Sequence, residues 1–158
     1  MPRIALVLLV FVLASCDAVS VGEAQRLFEL EALSPPSGIT STDAQGRVVS
    51  RDNDDWRVSP LYQTSFVFTF VPYPNPATST QSIQVAGTYS GRGAGLVPFR
   101  VNSRGDLVQI QAVSGTLDGA APLFSFPAGQ LGEVGLTRLV LTDFEGRFVS
   151  YGDIQIIP

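Results

Sequence analysis

The sequence predicts an all-β protein built as an antiparallel β-sandwich, and three observations lead to this prediction. The 158-residue chain is 45% hydrophobic and only 15% charged, which is typical of a folded domain and not of a disordered chain. Its 15 glycines and 11 prolines, together with apolar runs of strand length after residue 60, favour short strands joined by turns. A single segment has a helical pattern, so the sequence lacks the crossover helices that a parallel α/β sheet needs.

The first fifteen residues have the pattern of a secretory signal peptide. Arg3 supplies a short positive region, and residues 4–13 form a continuous apolar run. This run is short for a helix that must span a hydrocarbon core of about 30 Å. We therefore expect residues 1–15 to be removed as a signal peptide.

Cys16, the only cysteine, ends the tetrapeptide L-A-S-C, whose first residue is the last of the apolar run. This tetrapeptide resembles the bacterial lipobox, and the resemblance implies cleavage before Cys16 and acylation of its thiol. Two or three acyl chains give stable anchoring, so we expect the membrane as the first partner. The alternative is an ordinary signal peptide followed by an unmodified cysteine.

The predicted location is the bacterial cell envelope, with the lipid anchor in the outer membrane and the domain facing the periplasm or the cell surface. Asp17, directly after the cysteine, resembles the inner-membrane retention signal of enteric bacteria. Other lineages do not follow that rule, so the membrane and the leaflet stay open.

Residues 17–33 contain the helical pattern. Ser20 and Glu23 fit the S-x-x-E capping box. The apolar stripe of this segment consists of Val21, Ala24, Leu27 and Phe28. Such a segment either lies on the membrane, or is a short helix that packs on the domain or a partly ordered tether. We favour the second interpretation, packed helix or tether, because Glu29 and Glu31 would face anionic headgroups without a belt of basic residues around the apolar face.

Residues 37–50 predict a hairpin with its turn in D-A-Q-G at 43–46. An acidic loop at 51–55 follows and leads into Trp56, the only tryptophan. We expect residues 16–60 to form a lipid-anchored linker segment with this helix and hairpin, and residues 61–158 to form the sandwich.

Seven strands are predicted in the sandwich, at residues 63–71, 82–88, 96–102, 106–113, 122–126, 136–143 and 147–157. Turn residues separate the strands in S-R-G-D, D-G and E-G. Seven short antiparallel strands at this spacing are typical of a sandwich of immunoglobulin type. The residues that we expect on inward faces are Phe66, Phe68, Phe70, Ile83, Val85, Val108, Ile110, Leu139, Leu141 and Ile156.

The hexapeptide Y-P-N-P-A-T at 73–78 precedes an alternating strand, and F-P-A-G at 126–129 and the G-R ending of residues 135–147 follow later. These phrases resemble the immunoglobulin-like sorting domain of type IX secretion cargo. The resemblance implies a β-sandwich and export through secretion machinery. The layout from lipobox to final strand also resembles small lipoproteins of Bacteroidota-type bacteria, a likeness that implies no activity.

The composition excludes several kinds of chemistry. The chain has no His and no Lys, and its ten basic residues are all Arg. Schiff-base catalysis, the P-loop lysine, His-based triads and His/Cys zinc sites are therefore excluded, as is a disulfide within one chain. A net charge of −4 without a basic patch argues against a nucleic-acid partner.

The candidate binding residues are those of the acidic loop: Asp52, Asp54, Asp55 and Trp56. Three carboxylates in four residues repel one another unless water, Arg or a cation screens them, and Ca²⁺ would be the cation that such oxygen ligands prefer. The alternative is a solvated loop. The glycine-rich run 91–95 is interpreted as a flexible connection, and R-G-D at 104–106 as turn chemistry.

We therefore expect a non-enzymatic, lipid-anchored envelope lipoprotein without cofactor or bound metal, acting as an adhesion, assembly or scaffold module. Its partners would be the membrane, through Cys16, and envelope proteins. Two alternatives stay open: a type IX sorting module read by secretion machinery, and a carbohydrate- or Ca²⁺-binding surface module.

Overall fold

The structure, a computed structural model, describes residues 20–90, 95–117 and 121–158. Several sequence predictions lie outside the described residues: the signal peptide, Cys16 with Asp17, most of the glycine-rich run (91–94) and the D-G turn at 118–119. Within the described ranges, no helix is long and apolar enough to cross a membrane.

Within the described residues, one α-helix and twelve strands form the fold. In chain order these are α1 (Val21–Ala32), β1 (Ser41–Thr42), β2 (Val48–Ser50), β3 (Arg57–Val58), β4 (Phe66–Tyr73), β5 (Ala77–Thr78), β6 (Ser82–Tyr89), β7 (Val97–Val101), β8 (Leu107–Gln109), β9 (Val113–Leu117), β10 (Ala121–Pro127), β11 (Gly135–Thr142) and β12 (Phe148–Ile157). A 3₁₀ helix (Ala128–Leu131) precedes β11.

Two sheets form the predicted all-β sandwich, which is confirmed. One sheet has the strand order β4-β6-β10-β9, and the other has the order β3-β12-β11-β7-β8. Strands β1 and β2 form a separate hairpin. The pairings are antiparallel, except that β5 runs parallel to the end of β12. The start of β4 alternates in burial, whereas residues 138–142 of β11 and 148–154 of β12 are buried on both faces of the larger sheet.

The core lies between the two sheets. It contains residues from β6 and β10 on one side and from β11 and β12 on the other. Seven of the residues predicted to face inward are buried: Phe66, Ile83, Val85, Ile110, Leu139, Leu141 and Ile156. The other three, Phe68, Phe70 and Val108, are only partly buried. The alternation therefore identified the inward faces, but it overestimated burial in β4 and β8.

The single strand predicted at 106–113 is wrong. Its first part is β8, which pairs with β7 in one sheet, and its end begins β9, which pairs with β10 in the other sheet. Ile110, between these strands, is buried in the core. The chain crosses from one sheet to the other here. Hydrophobic alternation does not show to which sheet a strand belongs, so it could not predict this crossing.

Three hairpin turns share one geometry, at residues 43–47, 102–106 and 143–147. In each turn, the side-chain oxygen of the first residue accepts hydrogen bonds from the backbone N–H groups of the third and fifth residues, all at 2.9 Å. The fourth residue is a glycine with φ between 77° and 83°, a region that favours glycine. Arg104-Gly105-Asp106 fills the last three positions of the second turn, where Arg104 and Asp106 form an ion pair at 3.3 Å.

Helix α1 packs on the outer face of the larger sheet. Ser20 caps it by accepting the Glu23 N–H at 3.2 Å. The predicted apolar stripe is correct for Phe28, which is buried, and wrong for Val21 and Leu27, which are 58% and 47% exposed. The buried residues of the helix are Gln25, Phe28 and Ala32.

A polar residue can occupy this buried face because its hydrogen bonds are satisfied. The Gln25 amide donates to the Phe148 carbonyl at 3.2 Å and to Glu29 at 2.9 Å. The ring centroid of Phe28 lies 4.9 Å from that of Tyr151 on β12. The described part of the predicted linker is thus packed against the sandwich, through α1, through β3 and through Trp56 in the core.

Candidate functional site

The acidic loop is held in shape by its own polar groups. The carboxylate of Asp52 accepts the Asp54 N–H at 3.0 Å. The Thr40 hydroxyl donates to the Asp52 carbonyl at 3.2 Å and accepts the Asp52 N–H at 3.1 Å. Of the three predicted carboxylates, only that of Asp54 belongs to an exposed residue, while Asp52 and Asp55 are half-buried. The loop is therefore a closed turn fixed to residue 40.

Asp55 faces the interior of this loop. Its carboxylate accepts the Thr40 N–H at 2.6 Å and the Asp153 N–H at 2.9 Å. Burial raises the pKa of Asp55 to about 6, because it outweighs these two hydrogen bonds, and the nearby charges of Asp153 and Asp52 add to the increase. Asp55 thus ties the loop to β12 and does not join Asp52 and Asp54 in one ligand set.

Trp56 lies in the core and is only 6% exposed. Its backbone has φ of 57°, and its ring lies edge-on to Phe68 at 6.2 Å. Gly152 lies directly against the indole: a Cβ there would come within 2.4 Å of the ring, so this position requires glycine. The indole N–H has no hydrogen-bond partner within the described residues. Trp56 therefore offers little aromatic surface on which a sugar ring could stack.

The loop does not gather a set of metal ligands. In the parts of the chain that the structure describes, no group of three or more His, Cys, Asp or Glu side chains is placed to hold a metal ion. Asp52 and Asp55 instead accept backbone N–H groups of the protein itself. The Ca²⁺ interpretation of the loop stays a prediction without geometric support.

Asp55 gives the protein a pH dependence that can be measured. The pKa of Asp55 is about 6 in the folded state, against an ordinary 3.8. Between these two pH values the folded state therefore binds more protons than the unfolded state. The stability contributed by this group is thus present at low pH and is lost as the pH rises through about 6. Asp55→Asn should flatten the change in unfolding free energy between about pH 4 and about pH 6.5 in urea titrations. An unchanged slope in the variant would contradict the assignment to Asp55.

An ionic network that was not predicted from the sequence lies beside this loop. We define it as Glu31, Arg57, Arg138, Tyr151 and Asp153. At its centre, Arg138 Nε and Nη2 donate to the two carboxylate oxygens of Asp153, at 2.5 and 2.9 Å. These residues are 4% and 1% exposed. The pair is bidentate and buried, the arrangement in which loss of one partner is most damaging.

The same arginine reaches the end of α1. Arg138 Nη1 donates to the Glu31 carbonyl at 2.9 Å, and its guanidinium lies 4.8 Å from the centre of the Tyr151 ring. Arg57 on β3 donates to the Tyr151 hydroxyl at 2.6 Å and pairs with the Glu31 carboxylate at 2.5 Å. The ionic network therefore fastens the C-terminal turn of α1 to β3, β11 and β12.

Asn75, from the Y-P-N-P phrase, has a structural role of the same kind. It is fully buried, its amide donates to the carbonyls of Thr40 and Asp153 at 2.9 Å, and its oxygen accepts the Gln155 N–H at 2.9 Å. Ser37 N–H adds a bond to the Asp153 carboxylate at 2.8 Å. The segment between α1 and the hairpin is thus held on β12 by buried hydrogen bonds.

A second polar cluster closes the other end of the sandwich. Asp143 accepts the Tyr62 hydroxyl at 2.6 Å and Arg147 Nε at 2.8 Å, besides the N–H groups of its own turn. Burial acts to raise the pKa of Asp143, but the bonds from Tyr62, Arg147 and Glu145 outweigh it and hold that pKa below its usual range. Burial, and then the Asp143 carboxylate, raise the pKa of Tyr62 well above its usual range. The cluster therefore joins the 143–147 turn to the turn at Tyr62 that precedes β4.

The fold and these clusters define a β-sandwich module whose N-terminal helix is fastened to one sheet by buried ionic contacts. Comparisons with protein-family models, curated proteins and solved structures find no match to this chain. The resemblances to lipoproteins and to the sorting domain therefore stay predictions from the sequence.

Proposed function

We propose that this chain is a non-enzymatic, lipid-anchored envelope module that acts as an adhesion, assembly or scaffold unit. The observation that carries the proposal is the ionic network, which makes α1 a fixed part of the sandwich. The helix is the first described element after Cys16. A lipid tether that leads into this helix would therefore be joined rigidly to the sandwich.

The spacing between anchor and helix supports the same proposal. Four peptide steps separate Cys16 from the helix cap at Ser20, and a chain of that length reaches about 14 Å at most. With acyl chains on Cys16, the sandwich is held close to the membrane surface. Its orientation is then set by the packing of α1.

The use of the acidic residues supports a role without catalysis. Asp55 accepts two backbone N–H groups, and Asp143 and Asp153 each pair with an arginine. A glycosidase needs two carboxyl groups that face each other across a cleft with separated pKa values. These three aspartates serve instead to hold elements of the fold together.

The anchor is tested by Cys16→Ser in the full chain. The variant should lose palmitate labelling and should be recovered in the fraction that does not sediment with membranes, because the thiol is the attachment point. Asp17→Ser is the matched control: it keeps the thiol and should stay labelled and membrane-bound. Sedimentation of Cys16→Ser with membranes after a high-salt wash would overturn the proposal.

A further inference from the structure

A cleft of about 880 Å³ opens beside the ionic network. Its walls are the segment that follows α1 (33–36), the end of β7 with its turn (100–105) and the start of β11 with the residues before it (131–138). Its volume lies within the range of about 300–1,000 Å³ that is usual for ligand sites.

One wall of the cleft is an open strand edge. Strands β11 and β7 pair only as far as Leu139 opposite Arg100, although β11 begins four residues earlier, at Gly135. β7 leaves β11 at this point and continues into its own hairpin with β8. On this side, therefore, the described residues place no strand beside the beginning of β11.

The hydrogen-bond alternation shows which backbone groups face the cleft. Ile110 N–H donates to the Pro98 carbonyl at 2.9 Å, so the backbone carbonyl of Pro98 points toward β8. The backbone N–H and C=O of the next residue, Phe99, therefore point the other way, toward β11. Val140, opposite Phe99, faces β7 in turn. Since alternate residues of a strand point the same way, the backbone N–H and C=O of Leu136 are directed into the cleft. They offer a place for one added strand.

The side chains on the two faces of this edge differ in character. Arg100 shares the inner face with Leu139, its partner in the register. It is half-buried, and the described residues place no carboxylate within ion-pair distance of it. On the outer face the cleft is lined by Leu33, Pro35 and Leu136.

The charge of the cleft is positive although the chain is acidic. Arg104 lies at its mouth with its side chain 82% exposed, and its ion pair with Asp106 is of the exposed kind that contributes little. Glu133 is the only acidic side chain among the lining residues. A half-buried guanidinium without a counter-charge is stabilised when a carboxylate reaches it.

We propose that an extended peptide segment with alternating acidic and apolar residues binds in this cleft. Its backbone pairs with Leu136 as an added strand, its carboxylates reach Arg100 on the inner face and Arg104 at the mouth of the cleft, and its apolar side chains contact Leu33 and Pro35. The inference rests on the proposed scaffold function, since it names the class of partner that the module holds. Binding is measured in solution, so its failure leaves the Cys16 result unaffected.

The test uses the full chain in detergent and a labelled peptide with three Val-Glu repeats, followed by fluorescence anisotropy. Each substitution removes a charge-assisted hydrogen bond to the peptide. Arg100→Gln should weaken binding about tenfold because Arg100 is half-buried, and Arg104→Gln only about threefold because Arg104 is exposed. Arg47→Gln is the matched control. It removes an exposed charge from the 43–47 turn, which has the same geometry as the turn of Arg104 but lies outside the cleft. It should bind like the unchanged protein.

Two further probes separate strand addition from attraction of any anion. The same peptide with N-methyl groups on alternate residues keeps its charge but cannot pair with Leu136, and it should not bind. An acidic oligosaccharide should not compete with the parent peptide. The proposal would be overturned if the parent peptide did not bind, if the N-methylated peptide bound equally well, or if the oligosaccharide competed. It would also be overturned if Arg104→Gln, a substitution in an exposed turn, kept full affinity for the peptide.

Discussion

Replacing Arg138 with Ala should lower the free energy of unfolding by about 3–5 kcal/mol, the loss expected when one member of a buried ion pair is removed. The substitution leaves the Asp153 carboxylate, 1% exposed, without its counter-charge. It also removes the bond to the Glu31 carbonyl and the contact with the Tyr151 ring. Urea denaturation at neutral pH measures this loss.

Two comparisons isolate the cause. Arg47→Ala removes an exposed arginine and should change stability by less than about 0.5 kcal/mol. The double variant Arg138→Met with Asp153→Leu should recover much of the loss, because no buried charge is then left unpaired. A single Arg138→Ala variant that is as stable as Arg47→Ala would show that the ionic network does not hold the fold.

The second large effect is expected in β4. Phe66→Ala should lower the free energy of unfolding by about 3–5 kcal/mol, the usual loss for a buried phenylalanine. Phe66 is 2% exposed, its ring lies edge-on to Phe68 at 4.9 Å, and Gly87 lies against it without room for a Cβ. Thermal or urea unfolding measures the change.

The neighbouring residue of the same strand provides the control. Val67 is 64% exposed, so Val67→Ala should change stability by less than about 0.5 kcal/mol. Equal losses in Phe66→Ala and Val67→Ala would contradict the register of β4, because a shift of one residue exchanges the two faces of a strand.

The strands and turns were accessible to sequence reasoning because they depend on local chemistry. A turn that begins with Asp or Asn and has Gly at its fourth position needs only its own five residues to form. All three turns of this kind therefore fell between predicted strands. The crossing from β8 to β9 depends instead on which sheet each strand joins, and this choice is made by distant partners.

The face of α1 shows a second limit. Hydrophobicity favoured Val21 and Leu27, yet the sheet covers Gln25, Phe28 and Ala32. Gln25 is buried because the Phe148 carbonyl accepts its N–H at 3.2 Å. A hydrogen-bond partner 123 residues away cannot be inferred from the pattern of the helix itself.

The ionic network had a partial signal in the sequence. Arg138 and Asp153 each interrupt an apolar strand, and a charge in a buried strand needs a partner. Regular pairing from the turn at 143–147 would have placed Arg138 opposite Gly152. A bulge between Leu141 and Thr142 shifts the register by one residue and brings Asp153 opposite Arg138. The pairing of Arg138 with Asp153 therefore depends on a β-bulge that could not be predicted from the sequence.

The acidic loop was prominent in the sequence for its charge, and its role in the structure is different. Asp55 faces inward to Thr40 and Asp153, and Trp56 is part of the core. Sequence clustering could not distinguish a carboxylate that binds a ligand from one that accepts backbone N–H groups. The cleft at Leu136 was missed for a related reason, because an open strand edge is a property of the sheet and not of any one segment.

Native-state amide hydrogen exchange tests most directly whether α1 is a fixed part of the sandwich. The amides of Phe28 and Ala32 should exchange with the same free energy of opening as that of Val140 on β11, because the helix and the sheet open together. Arg138→Ala should lower all three values. Rapid exchange at Phe28 and Ala32, with Val140 still protected, would show that the helix detaches on its own and would contradict the account.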